Sequence, residues 1–186
     1  VTNTEANNAE RFEGTGVRAE HTVQGELHRS QITVIDPTTS KVSPRHINRH
    51  INYDITPAPA NTKNHSLALP TDAIVSADGQ TLYVAAYGSS KVGVFATQSL
   101  ENDALWDNIG EEFNPETASN RYISITGGGV SGVVLNDNQK RLYVTTRFDN
   151  GISVVDLVQG KEISHISQFN PESQTIIQGR DMLYNA

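Results

Sequence analysis

The 186-residue sequence contains no cysteine, which excludes disulfide bonds, thiolate metal ligands, a cysteine nucleophile and covalently attached haem within these residues. It also lacks a basic excess, because 21 acidic residues against 14 lysines and arginines give a formal charge of −7. That balance argues against a nucleic-acid-binding protein or one that binds an anionic membrane surface. No apolar run approaches the ~18–20 residues that a membrane-spanning helix needs.

The sequence does contain strand-like segments repeated at a spacing of 60 residues. Segments 82–86 and 142–146 read Leu-Tyr-Val-Ala-Ala and Leu-Tyr-Val-Thr-Thr, segments 92–95 and 152–155 follow them at equal distance, and a related segment occupies 32–36. Each is rich in β-branched or aromatic residues and bounded by turn residues. Because one small sheet cannot bury both of its faces alone, this repeat predicts an all-β fold, a β-propeller of stacked four-stranded antiparallel blades.

The repeat length predicts about two and a half blades, since blades usually span ~40–50 residues and these carry insertions. The predicted units are a partial blade (1–55) with a long hairpin-loop insertion (4–30), blade two (56–126) with an insertion (98–120), blade three (127–168) and a linker toward a following domain (169–186). A closed propeller has about 4–8 blades. We therefore expect either a segment of a longer protein or copies that cover each other's open ends, and we favour the segment.

Two less regular elements are also predicted. The alternation of apolar residues in 46–55 favours the outer strand of the first blade, and the spacing of Leu105, Ile109 and Phe113 favours a short helix within 101–113.

The repeated segments resemble a known family. The two Leu-Tyr-Val segments and the opening Val1-Thr2-Asn3 are similar to the Tyr-Val-Thr-Asn (YVTN) family of β-propeller repeats. Residues 76–79, Ser-Ala-Asp-Gly, are similar to that family's Ser-Pro-Asp-Gly turn. This resemblance covers most of the chain and implies the propeller fold.

A narrower resemblance is to bacterial exported proteins in which such a propeller leads into a c-type cytochrome region. It is carried by Asn-Thr-Glu-Ala (3–6), Arg-Phe-Glu-Gly (11–14), Gly-Ser-Ser-Lys-Val-Gly-Val-Phe (88–95), Arg-Phe-Asp-Asn (147–150) and Gly-Arg-Asp-Met-Leu-Tyr-Asn-Ala (179–186). It implies a periplasmic or extracellular, cell-surface location, with the rest of the propeller and a c-type cytochrome domain as partners. Haem c is expected only in a following region, where a Cys-x-x-Cys-His motif would stand.

Loops that leave the same end of neighbouring blades are expected to form one face, and function usually lies in such loops. The residues predicted to face a ligand or partner there are Arg11, Glu13, His21, His28, His65, Tyr87, Ser131, Arg147 and Asp149. The alternative is that Arg147 and Asp149 only pair or cap a turn. In the same way, glycines 127–129 would only let the chain bend with positive φ.

The histidines and acids give no strong metal-binding pattern. His46 and His50 have a spacing that binds metal on a helix, but on a strand they would lie ~13 Å apart. Asp72 and His65 are the weak metal candidates that remain. The motifs of serine hydrolases, zinc proteases and nucleotide-binding loops do not occur, so no catalytic residue is assigned.

The sequence therefore favours a non-catalytic scaffold or binding module that docks a neighbouring electron-transfer region. The alternatives are part of a lactonase-like or metal-dependent propeller hydrolase, or a surface-layer adhesion module. A hydrolase needs acidic or histidine ligands on the innermost strands. Asp72 is the acidic candidate there, but the residue at the equivalent position of the next blade is Gly132. That asymmetry weighs against catalysis within these residues.

Metal analysis distinguishes the scaffold hypothesis from the metal-dependent hydrolase hypothesis. Elemental analysis of the purified chain is expected to return no stoichiometric metal ion, because the sequence offers no convergent ligand set. A tightly bound ion that is lost in Asp72→Ala would favour the hydrolase over the scaffold.

Overall fold

The computed structural model describes residues 1–6, 17–18, 21–22, 28–52, 55, 57–60, 62–103 and 121–184. The strands are β1 (Thr2–Ala6), β2 (Val17–Arg18), β3 (His21–Thr22), β4 (His28–Asp36), β5 (Lys41–His46), β6 (Pro70–Val75), β7 (Thr81–Ala86), β8 (Lys91–Ala96), β9 (Arg121–Ser124), β10 (Val130–Asn136), β11 (Arg141–Thr146), β12 (Gly151–Asp156) and β13 (Lys161–Ser167). The helices are α1 (Thr97–Glu101), α2 (Gln174–Tyr184) and two 3-10 turns, Thr62–His65 and Tyr87–Ser89.

The strands form a series of small antiparallel sheets, which confirms the predicted all-β propeller segment. Blade one has the order β1-β4-β5, blade two β6-β7-β8-β9 and blade three β10-β11-β12-β13. Strands β2 and β3 form a separate two-stranded ribbon within the first insertion. Among the described residues, blade one therefore has three strands where the others have four.

The 60-residue repeat holds in the strand register. Val84 is paired with Gly93 in blade two, and Val144 is paired with Ser153 in blade three. In blade one the Thr33 N–H donates to the Val1 carbonyl at 2.7 Å. Equivalent residues of the three blades therefore occupy equivalent positions in their sheets, so burial and contacts can be compared position by position.

The core lies between the blades rather than within any one of them. One cluster joins blades one and two and includes Ile32, Val84 and Phe95. A second cluster joins blades two and three and includes Val92 and Val144 among its members. Burial of such a side chain stabilises a fold by about 1.5–3 kcal/mol, so face-to-face packing of the sheets is the main source of stability.

Polar side chains reinforce the contact between blades two and three. The carboxylate of Asp72 accepts a hydrogen bond from the Val133 N–H at 3.0 Å, across the two innermost strands. Asp137 makes the reverse connection, accepting from the Ala77 N–H at 2.7 Å. Because each bond runs from a side chain to the backbone of the other blade, both fix how the two sheets align.

Asn48 plays the corresponding part between blades one and two. Its amide oxygen accepts from the Leu67 N–H at 2.9 Å, and its amide nitrogen donates to the Leu67 carbonyl at 2.7 Å. Both residues are buried. This pair of bonds satisfies a backbone segment that enters blade two without a strand partner of its own.

The outer strand of blade one differs from the sequence prediction. We predicted it at 46–55, but β5 ends at His46 and residues 47–50 form a turn. The apolar residue that suggested a strand, Ile47, is instead fully buried in the core between blades one and two. The periodicity prediction, drawn from Ile47, Ile51 and Tyr53, was wrong because a buried turn residue fitted the alternation of a strand.

Two other predictions concern the segments outside the blades. The short helix predicted within 101–113 lies outside the described residues, apart from the end of α1 and the turn that follows it. Where a linker was predicted after residue 169, the chain forms the helix α2. None of the helices in the described part of the chain is long and apolar enough to span a membrane.

Asn48 provides a test of this packing arrangement. Asn48→Ala is expected to lower the free energy of unfolding by about 2–3 kcal/mol, because it leaves a buried N–H and a buried carbonyl of Leu67 without partners. Urea denaturation measures the change. The control Asn138→Ala, at an exposed turn position, is expected to stay within about 0.5 kcal/mol, and equal losses in both variants would contradict this role for Asn48.

Candidate functional site

Several loops of blades two and three meet at one end of the sheets, which we call the loop face. It contains the turn 87–90 between β7 and β8, the turn 147–150 between β11 and β12, and the glycine turn 127–129 before β10. Backbone contacts hold these segments together, since the Arg147 N–H lies 3.2 and 3.1 Å from the Gly128 and Gly129 carbonyls. The loop face is therefore built by the repeat register itself.

Three aromatic rings form the centre of the loop face. Tyr87 and Phe148 pack edge to face with ring centroids 5.4 Å apart. Tyr184, near the end of α2, lies 6.3 Å from the Tyr87 ring and 6.1 Å from the Phe148 ring. Such aromatic pairs contribute about 0.5–1.5 kcal/mol beyond the burial of their area, so they hold α2 against blades two and three.

The glycine turn is what makes room for Phe148. Gly128 and Gly129 have φ values of +66° and +58°, a conformation that favours glycine. A Cβ on Gly129 would also lie 2.6 Å from the Phe148 ring, and one on Gly128 would clash with it. The bend expected from the sequence is present, and its further effect is to bury Phe148 beneath the loop face.

Beside the aromatic cluster lies an open cavity of about 350 Å³. Its lining residues are Tyr87, Arg147, Asn150, Asn170, Pro171, Glu172 and Arg180. The segment that precedes α2 is attached to blade three by Asn150, whose amide donates to the Phe169 carbonyl at 2.8 Å. Arg180 of α2 donates to the Phe148 carbonyl at 3.2 Å, so the cavity lies between α2 and two blade loops.

The two arginines at this cavity differ in whether they have an acidic partner. The charge of Arg180 is balanced by a bidentate ion pair with Glu172. The hydrogen bonds of this pair raise the pKa of Arg180 above its ordinary value. Arg147 is exposed, and it makes no ion pair with any side chain in the described part of the chain. The cavity therefore presents an available guanidinium group within an acidic protein, which suits a carboxylate or other anionic group on a partner.

Asp149 points away from this cavity into a hydrogen-bonded chain within blade three. Its Oδ2 lies 2.6 Å from His165 Nε2, and Ser153 Oγ lies 2.8 Å from His165 Nδ1. The Thr146 hydroxyl donates to the other carboxylate oxygen at 2.7 Å. In the tautomer that carries its proton on Nε2, His165 donates to Asp149 and accepts at Nδ1 from the Ser153 hydroxyl.

Serine, histidine and aspartate in this order are the components of a hydrolytic triad. Here the serine cannot act as a nucleophile, because Ser153 is 0% exposed in the middle of β12. A substrate carbonyl would have no path to its hydroxyl. The network instead ties β12 and β13 to the 147–150 turn, which supports the reading in which Asp149 caps a turn.

The remaining residues predicted to face a partner lie at several places. Tyr87 and Arg147 line the cavity, His28 is exposed at the start of β4, and His65 is half-buried in a 3-10 turn. Ser131 lies on β10, with its hydroxyl 3.1 Å from that of Thr145. Arg11 and Glu13 lie outside the described residues, and for His21 only the backbone, in β3, is described.

Asp72, one of the two metal candidates, is engaged in other contacts. Both carboxylate oxygens of Asp72 accept backbone N–H groups, from Ala73 and Val133. Burial lowers the pKa of His46 and of His50 to about 4, so both are neutral near pH 7. Among the described residues no cluster of three or more histidine and acidic side chains is arranged to hold an ion.

Sequence reasoning missed Ser153 and His165, which bond to the 147–150 turn, and Arg180, which lines the cavity. The repeat carries no distinct signal for the first two, because the residues equivalent to Ser153 are Thr33 and Gly93, and those equivalent to His165 are Pro44 and Tyr122. Arg180 could not be found from the repeat either, since α2 has no counterpart in it.

No family model matches the chain, and no curated protein matches it in sequence. Among solved structures it is similar to hydrazine synthase from Kuenenia stuttgartiensis, with 18% identity and a TM-score of 0.49 over 87% of this chain and 40% of that one. It is also similar to apo AztD from Citrobacter koseri, with 15% identity and a TM-score of 0.44 over 75% of this chain and 31% of that one. The chain thus spans less than half the length of either protein, and the propeller assignment rests on its own sheets.

The buried network makes a testable distinction between a structural and a catalytic role. His165→Ala is expected to lower the free energy of unfolding by about 1–3 kcal/mol, because it leaves Asp149 and the buried Ser153 without a shared partner. The control His28→Ala, at an exposed position, should change it by less than about 0.5 kcal/mol. Chemical denaturation measures both. Hydrolysis of an activated ester that disappears in Ser153→Ala would contradict the structural role.

Proposed function

We propose that this chain is a non-catalytic propeller scaffold whose loop face binds a neighbouring protein domain. The observation that carries the proposal is the position of α2, which leaves the repeat and folds back over the loop face. Tyr184 packs on Tyr87 and Phe148, and Arg180 bonds to the Phe148 carbonyl. A domain that follows α2 would begin at this face, beside the cavity.

The chemistry of the loop face suits protein recognition. Tyrosine and arginine are enriched among the residues that carry most of the energy of protein interfaces, and Tyr87 and Arg147 line the same cavity. Phe169, which precedes α2, and Met182, within it, are large apolar side chains with more than four-fifths of their surface exposed. A partner with an acidic group opposite Arg147 and an apolar patch opposite these residues would complement the loop face.

The finer proposal is that this partner is a c-type cytochrome region of the same exported protein, in the periplasm or at the cell surface. It is supported by the resemblance of the sequence to propellers that lead into such a region. The 186 residues cannot hold a c-type haem, because its covalent attachment needs cysteines and the sequence has none. The scaffold would therefore position the protein that carries the haem, and redox chemistry would belong to that protein.

The hydrolase and surface-layer alternatives are not favoured by a specific observation in the described residues. The hydrolase-like constellation at Ser153 has a buried serine, and Asp72, the acidic candidate on an innermost strand, accepts from backbone N–H groups of β6 and β10. Binding at the loop face is the function that the geometry supports best.

The proposal is tested by titrating the protein region that follows residue 186 in the parent protein into the chain by calorimetry. Arg147→Glu is expected to weaken binding by about tenfold or more, because it replaces the available cation with an anion. Lys161→Glu is a matched control, since Lys161 is exposed and lies at the other end of the blade-three sheet. It should change the affinity by less than about twofold.

The two levels of the proposal can fail separately. Absence of binding, or equal weakening by both variants, would overturn the loop face as the docking surface. Binding by a region that shows no haem absorption would overturn the cytochrome assignment and leave the scaffold function standing.

A further inference from the structure

Two histidines lie at the contact between blades one and two. His46 is the last residue of β5, and His50 ends the turn that follows it. Both side chains are half-buried, and the ring nitrogens His46 Nε2 and His50 Nδ1 are shielded from solvent. Between the two histidines lie Ile47, in the core, and Asn48, bonded to the Leu67 backbone. The histidines therefore flank the residues that hold blade one on blade two.

A connecting segment, residues 62–67, receives these contacts before the chain enters blade two. Ser66 Oγ donates its single hydrogen to the Thr62 carbonyl at 2.7 Å, so it accepts from His50 Nε2, which lies 3.0 Å away. A neutral His50 that carries its proton on Nε2 can take up a second proton only on Nδ1. Because Nδ1 is buried, that proton would bring a charge into the contact, and removing a charge from water is costly.

The charged groups around the two histidines are mainly cations. In the described part of the chain these cations are Arg29 on β4, Arg49 in the turn, Lys63 and His65 in the connecting segment, and Lys91 on β8. The Lys91 ammonium donates to the Lys63 carbonyl at 2.7 Å, which keeps it beside the connecting segment. A further positive charge on either histidine would therefore meet repulsion from both blades.

The described acids at this contact bind other groups. Asp103, which follows α1, pairs with Arg45 and Arg49 at 3.4 and 3.2 Å. Glu5 on β1 accepts a hydrogen bond from Gln31 at 2.6 Å. These carboxylates therefore offset charge and satisfy donors within blade one rather than stabilising a protonated His46 or His50.

Burial and the neighbouring cations favour the neutral form of both rings. Burial is the larger cause, and together with the positive charges it lowers the pKa of His46 and of His50 from 6.5 to about 4, although the Thr62 carbonyl opposes the shift at His50. A ring released into water regains its ordinary pKa, so an open form of the contact binds more protons than the closed form. The contact therefore keeps its full stability above pH 6.5 and loses stability as the pH falls toward 4.

We propose that the contact between blades one and two is an acid-sensitive joint. It is closed near neutral pH and opens when protons bind to His46 and His50, which releases blade one and the connecting segment from blade two. Blades two and three stay together over the same range, because Asp137 of blade three links them through the Ala77 N–H. The hydrogen bond from Lys140 lowers the pKa of Asp137 below its ordinary value of 3.8, so this carboxylate stays ionised where the histidines gain their protons.

Native-state hydrogen exchange of the 186-residue chain tests the joint, because exchange rates corrected for their intrinsic pH dependence give the equilibrium constant for local opening. The Leu67 N–H, held by Asn48, reports on the joint, and the Val133 N–H, held by Asp72, reports on the contact between blades two and three. Between about pH 7 and about pH 5, opening at Leu67 is expected to rise at least about tenfold, because protons drive it. Opening at Val133 should change by less than about twofold.

The double variant His46→Gln/His50→Gln removes both titrating rings. Its opening at Leu67 is expected to differ by less than about twofold between the two pH values. His28→Gln, at an exposed strand position, is the matched control and keeps the pH dependence of the original chain. Circular dichroism near neutral pH checks that the variants remain folded. NMR titration of the histidine rings in the original chain is a second measurement that needs no variant, and the midpoints of His46 and His50 are expected near 4.

Four outcomes contradict the joint. The first is opening at Leu67 that does not change with pH, and the second is a folded double variant that keeps the pH dependence. The third is ring midpoints near the ordinary 6.5, which would show that the contact does not exclude the proton. The fourth is an equal rise at Leu67 and Val133, which would indicate loss of the whole fold in acid rather than opening between two blades.

Discussion

The constraint on which the structure depends is that a small antiparallel sheet has two sides and cannot cover either by itself. Each blade has apolar residues on both faces, and the clusters that exclude water lie between neighbouring blades. Stability is therefore shared between adjacent sheets, as in other repeat architectures. The same constraint explains why the faces of blades one and three that no described residue covers carry large exposed apolar residues.

Face-to-face packing also builds the loop face. Because the blades stack in equivalent register, the 87–90 and 147–150 turns emerge side by side, and the glycine turn lies against the second of them. Phe148 is then buried beneath the surface, Tyr87 stands beside it, and α2 packs on both. Arg147 remains exposed at the edge of the cavity, so a scaffold interaction among apolar residues leaves a charged group available for recognition.

Several residues that carry chemistry elsewhere are used here for alignment. Asp72 links two blades through backbone N–H groups, Asn48 does the same for the other pair, and Asp149, His165 and Ser153 connect the strands of blade three. Residue type and spacing could not reveal this, because a carboxylate in a strand can bind a metal, a substrate or a backbone amide. Only the position of the neighbouring blade shows which partner each group has.

The sequence by itself determined the repeated unit, the strand order within each blade and the absence of a cysteine-based site, because alternation of apolar residues and turn chemistry are local properties. Tyr87 and Arg147 could also be assigned to one face, since equivalent loops of stacked blades must emerge together. The fold of residues 174–184, the cavity and the buried network at His165 were decided only by the tertiary structure. The physical reason is that each depends on contacts between segments distant in the chain, and such contacts have no periodicity for a local pattern to detect.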